Sequence, residues 1–161
     1  CPPEAKGWKR FVYATAIVIH HELALAATAV LAVAMTWDAP NQAGTATFLV
    51  LWIMRLSAKF NVFLGVQNLT TEFIPGHLAY MLSYFRRAPM NPLMPISVLA
   101  GAAGVTWLVT QAFAADVMPF RVTAITLVAT TLTLAVVEHI LLVVPVPDAV
   151  LWRWAHPTNF K

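Results

Sequence analysis

The 161-residue chain is 60% hydrophobic and 11% charged, with a mean hydropathy of +0.72; a water-soluble domain of this length is far more polar, so this is an integral membrane protein. The formal net charge of +3 comes without a basic stripe interleaved with aromatics, which argues against nucleic acid as a partner. A lone cysteine offers neither an internal disulfide nor a Cys-based metal site.

The opening Cys1-Pro2-Pro3 reads as internal sequence, making the chain the C-terminal part of a longer one, because a lipidated N-terminal Cys would lie outside, against the charge bias described below. The first apolar run, 11–36, is too long for a cleavable signal and lacks a small-residue processing site; His20-His21-Glu22 interrupt it. The second, 45–66, carries Arg55, Lys59 and Asn61. The third, 93–114, is uninterrupted by charge, and the fourth, 122–144, contains Glu138-His139. Each is near or above the roughly 20 residues that cross a bilayer as a helix. Long, continuous, Ala- and Leu-rich runs do not suit the short alternating strands of a barrel. The expected fold is all-α, a polytopic membrane helical bundle of four transmembrane helices in one domain, 1–161.

Lysines and arginines orient it. With the N-terminus inside, the inner side receives Lys6, Lys9, Arg10, Arg86, Arg87, Arg153 and Lys161, against Arg121 outside, so both termini are expected to be cytoplasmic. Trp8, Trp152 and Trp154 add aromatic anchors at the same interface. Between the second and third spans, Pro75-Gly76 opens a stretch in which Leu78, Met81, Leu82 and Phe85 recur at the spacing of one helical face. This predicts a cytoplasmic interfacial amphipathic helix over 75–87, its apolar face in the acyl boundary and Arg86 and Arg87 toward anionic headgroups or a partner. A plain cover for the bundle is the alternative.

Ionised groups in a spanning segment cost at least ~2.5–3.5 kcal/mol each on insertion scales, so they persist where they pair, bind or move protons. At ~1.5 Å rise per residue, the three polar clusters all fall between the midplane and the cytoplasmic face. Arg55 and Lys59 share a helix face and repel, which calls for Glu22 and Glu138 nearby. The expectation is one interhelical polar network of Glu22, Arg55, Lys59, Asn61 and Glu138. An intramembrane imidazole at His20, His21 or His139 can ligate a haem iron or chlorophyll magnesium, relay protons, or hydrogen-bond a neighbouring helix. Adjacent His20 and His21 point about 100° apart, so one at most faces a given pigment. Glu-x-x-His, the di-iron spacing, is absent; no metal site and no catalytic residue is assigned.

The run Arg55-Leu56-Ser57-Ala58-Lys59-Phe60-Asn61-Val62-Phe63-Leu64-Gly65-Val66 resembles the PuhE family. So do Pro75, His77-Leu78, Ser83-Tyr84-Phe85-Arg86-Arg87 and Pro89-Met90-Asn91, and, toward the C-terminus, Glu138-His139 and Val143-Val144-Pro145-Val146-Pro147-Asp148-Ala149-Val150-Leu151-Trp152-Arg153-Trp154. The resemblance implies a protein that accompanies the reaction-centre H-subunit gene in purple phototrophs. It implies an assembly factor in the bacterial inner (photosynthetic) membrane, with lipids and reaction-centre or light-harvesting subunits as partners and bacteriochlorophyll as candidate cofactor. His20, His21 and His139 are then the pigment-binding candidates. Two other readings stand beside it: a stable structural subunit of the mature complex, marked by stoichiometric presence in purified complexes, and a membrane enzyme or proton-coupled carrier, marked by catalysis in isolation. The weak metal spacing favours a non-enzyme.

Overall fold

The computed structural model describes residues 7–68, 80, 82–114 and 118–145. Four helices account for most of them: α1 (Trp8–Thr36), α2 (Ala43–Leu64), α3 (Leu93–Ala112) and α4 (Pro119–Leu141). All four are long and apolar enough to cross a membrane, and the protein is a multi-pass, all-helical membrane protein. Prolines fall where a missing N–H does no harm: Pro95 in the first turn of α3 and Pro119 opening α4.

Helix α2 stops at Leu64, two residues short of the expected span, because Gly65 takes φ 128° and Val66 turns to pair with Arg87 in an isolated parallel bridge. A side chain at 65 would also meet Ala88 Cβ at 2.9 Å, so the turn demands glycine twice over. That bridge also limits the interfacial helix expected over 75–87. Residues 75–79 and 81, Leu78 and Met81 among them, lie outside the described residues. In the part that is described, Leu82–Tyr84 makes a 3₁₀ turn, while Phe85 and Arg86 are no longer helical. The backbone there is committed elsewhere: Val66 N donates to Arg86 O (3.3 Å) and Ala88 N to Val66 O (3.2 Å). Leu82 and Phe85 are half-buried, and Arg86 and Arg87 are exposed.

The packing does not follow chain order. Helix α4 lies against both α3 and α2, whereas the consecutive α2 and α3 meet over a short stretch; α1 sits on the far side of α2 and buries only Ala29 fully. The core is Met54 of α2 with Leu132, Ala135 and Val136 of α4, closed by Val98, Val105 and Leu108 of α3. Helices α3 and α4 approach closely because α3 presents Gly101 and Gly104. A Cβ added at 101 would stand 2.5 Å from Val136 Cγ2, and one at 104 would stand 3.0 Å from Leu132 Cδ2. Small residues serve membrane helices this way, since lipid supplies no hydrophobic drive to associate.

Gly101→Ala is therefore expected to lose about 1–3 kcal/mol of bundle stability through overpacking, despite alanine's better helix propensity. Gly44→Ala, where nothing lies within 4 Å, should be neutral or mildly stabilising. Unfolding titrations in mixed micelles would separate the two.

Candidate functional site

Among the described residues, the ionisable and amide side chains that meet within the spans fall into two groups. The first joins α1 to α2. Glu22 is the central residue of the 29-residue α1, and its Oε1 takes an ion pair from Lys59 Nζ while Oε2 accepts from Trp52 Nε1 at 3.0 Å. Trp52 and Lys59 are seven apart, two turns along one face of α2, so both can reach one carboxylate between them. Each oxygen of the carboxylate has a donor, which is what permits a charge at this depth.

The second joins α2, α3 and α4. His139 is fully buried, with Nδ1 2.8 Å from Ala135 O, one turn back on its own helix. A carbonyl only accepts, so Nδ1 carries a proton toward it, and Nε2 lies 3.1 Å from the Ser57 hydroxyl oxygen. Ser57 Oγ lies 3.0 Å from Ser97 Oγ. Asn61, one turn beyond Ser57 and also fully buried, donates from Nδ2 to Ser57 O (3.0 Å) and Ser97 Oγ (3.1 Å); its Oδ1 is buried with no hydrogen-bond partner among the described residues. Three helices are thus tied at one level by a chain of polar side chains.

Below this chain the helix ends are stitched together. Buried Asn91 donates from Nδ2 to Asn61 O (3.1 Å) and Gly65 O (2.9 Å) at the end of α2. Its Oδ1 accepts from Leu93 N and Met94 N at the start of α3. Asn68 reaches Leu141 O and Val144 O at the end of α4. From α1, Arg10 donates to Phe63 O (2.8 Å) and Tyr84 O (2.7 Å), its guanidinium 4.4 Å from the Phe63 ring centroid.

The single network expected from the sequence is therefore divided. Glu22 and Lys59 come together; Asn61 belongs to the separate His139–Ser57–Ser97 group. Arg55 and Glu138 join neither, for both are exposed and have no ion-pair partner among the described residues. The reason is angular: Arg55 and Glu138 lie off the faces of α2 and α4 that carry the core. Of the three histidines considered for a pigment, His139 has both ring nitrogens engaged and no exposed surface, so this packing leaves it nothing to offer a chlorin magnesium. His20 and His21 are exposed on α1 at mid-depth. Among the described residues no three His, Cys, Asp or Glu side chains converge as a metal site would require.

The family model described as protein of unknown function (DUF3623) matches residues 1–161, the whole chain. The chain belongs to the DUF3623 family. A relative in Rhodobacter capsulatus, named as an uncharacterized 30.4 kDa protein in the puhA 5′ region, is 38% identical over 161 residues. The match covers 98% of this chain and 57% of the relative, so the chain spans little more than half the length of that protein. No solved structure matches.

Trp52, Ser57, Ser97 and Asn91 are among the residues of this DUF3623 chain to which sequence reasoning gave no role in the site. A lone serine in an apolar run carries no periodic signal. Asn91 did offer one, standing just before a proline and a long apolar run, where an asparagine caps a helix.

Proposed function

We propose that this protein is an assembly factor for the photosynthetic reaction-centre and light-harvesting complex, a PuhE-type protein of the bacterial inner membrane with both ends of the described bundle cytoplasmic. The observation that carries this is the kinship with a protein whose gene lies in the 5′ region of puhA. The geometry is consistent with a scaffold rather than a catalyst: the buried polar groups are spent on tying helices together, and the ionisable groups left over face outward. His20 and His21 are the side chains open to a bacteriochlorophyll magnesium or to a pigment-binding subunit in the plane of the membrane.

Deleting the gene in a phototrophic host should lower reaction-centre absorbance per cell, with recovery on complementation. The purified protein should carry bacteriochlorophyll that His20→Leu/His21→Leu removes and His139→Leu removes only in so far as it unfolds the bundle. Unchanged complexes in the deletion strain would refute the assembly role. Unchanged pigment content in the double variant would refute the pigment contact alone.

A further inference from the structure

Arg55 of α2 and Glu138 of α4 are opposite charges left exposed within membrane-crossing helices. They lie at one depth. Helices α2 and α4 run in the same direction, two apart in an up-and-down series, and the 3.1 Å contact of Ser57 with His139 sets those two residues level. Arg55 is two residues before Ser57 and Glu138 one before His139, so they differ in height by about one residue, ~1.5 Å.

They also share a flank. Helix α2 turns Val50, Met54 and Ser57 toward α4, and Trp52, Lys59 and Phe63 toward α1 on its opposite side. At about 100° per residue Arg55 falls between these two faces. On α4, His139 looks toward α2 and Val136 toward α3, and Glu138 is turned about 100° from His139 in the sense away from Val136. Followed around the bundle, both rotations lead to the same side, the one opposite α3. Exposed Leu51 and Leu134 continue the two stripes one turn away.

A flank bearing both charges at equal depth is complementary to itself. A two-fold axis along the membrane normal sets residue i against j and j against i, and it can pair only residues of equal height. Arg55 and Glu138 meet that condition, and pairing would relieve two ionised groups of contact with hydrocarbon. We infer that two copies of this chain associate through the α2–α4 flank, with Arg55 of each copy paired to Glu138 of the other.

The test is co-purification of differently tagged copies from lipid nanodiscs. Wild-type chains should co-purify. Arg55→Glu or Glu138→Arg, present in both copies, should lower recovery about tenfold or more, since like charges then face each other. Mixing an Arg55→Glu chain with a Glu138→Arg chain should restore it, because every cross-pair is again opposite; pairing within one chain cannot be repaired by mixing. The milder Arg55→Gln and Glu138→Gln, which introduce no reversed charge to disturb folding, should each weaken association, and together no further than either alone. Wild-type copies that never co-purify, rescue confined to the chain carrying both reversals, or glutamine variants that associate as well as wild type would each overturn the dimer.

Discussion

Lys59→Leu should destabilise the bundle by about 3–5 kcal/mol, the usual cost of orphaning a buried charge. Glu22 would keep Trp52 as a donor, yet a carboxylate at the middle of α1 cannot remain ionised on one neutral hydrogen bond. Protonation would spare the charge but remove the ion pair, leaving α1 held to α2 at its ends, by Arg10 and Phe11 on Phe63 and by Thr36 on Thr45. Replacing both partners, as in Glu22→Met/Lys59→Leu, should recover most of the loss, because the desolvation of two ions disappears along with their attraction. Steric-trapping or denaturant titrations on the two single variants and the double variant would give the coupling directly. If Lys59→Leu and the double variant were equally stable, the unpaired Glu22 would carry no penalty and the loss would have another origin.

Asn91→Ala should cost about 2–3 kcal/mol, unusual for one small side chain outside the core cluster. The amide ends two helices at once. It supplies Gly65 O, a carbonyl just past α2, with a donor, and it supplies the first free N–H groups of α3 with an acceptor. Asn91→Asp separates the two roles. Aspartate retains the cap on α3 but turns an acceptor toward Asn61 O and Gly65 O, so it should be no better than alanine at neutral pH and improve as the carboxylate protonates. Thermal unfolding followed by circular dichroism at two pH values would show it. An aspartate variant as stable as wild type at neutral pH would leave the cap as the whole of the effect.

Much of the helical architecture was legible because membrane insertion depends on run length and hydropathy, which are local quantities. The polar groups could be placed along each helix from the sequence, but the direction in which each one faces could be read only incompletely. The i+4 repulsion of Arg55 and Lys59 called for both Glu22 and Glu138 beside them; Glu22 pairs with Lys59, and Glu138 pairs with neither cation among the described residues. Depth alone could not say that α1 and α4 lie on opposite sides of α2, and with that arrangement no single network can hold both Glu22 and Glu138. His139 reads like His20 in a sequence, as a histidine in an apolar run. What distinguishes it is Ser57, 82 positions away on another helix, and no spacing rule reaches that far.

The place of α4 has a consequence for biogenesis. Because α4 lies between its two predecessors in the packing, a nascent chain made only as far as α3 exposes the notch at Gly101 and the hydroxyl of Ser57 before α4 can fill the one or engage the other. Helices can enter the bilayer one at a time as the ribosome delivers them, but tertiary closure must wait for residues 128–139. A stalled or truncated product would sit in the membrane correctly threaded and unlocked, with its polar seam open to whatever neighbour or quality-control protease reaches it first.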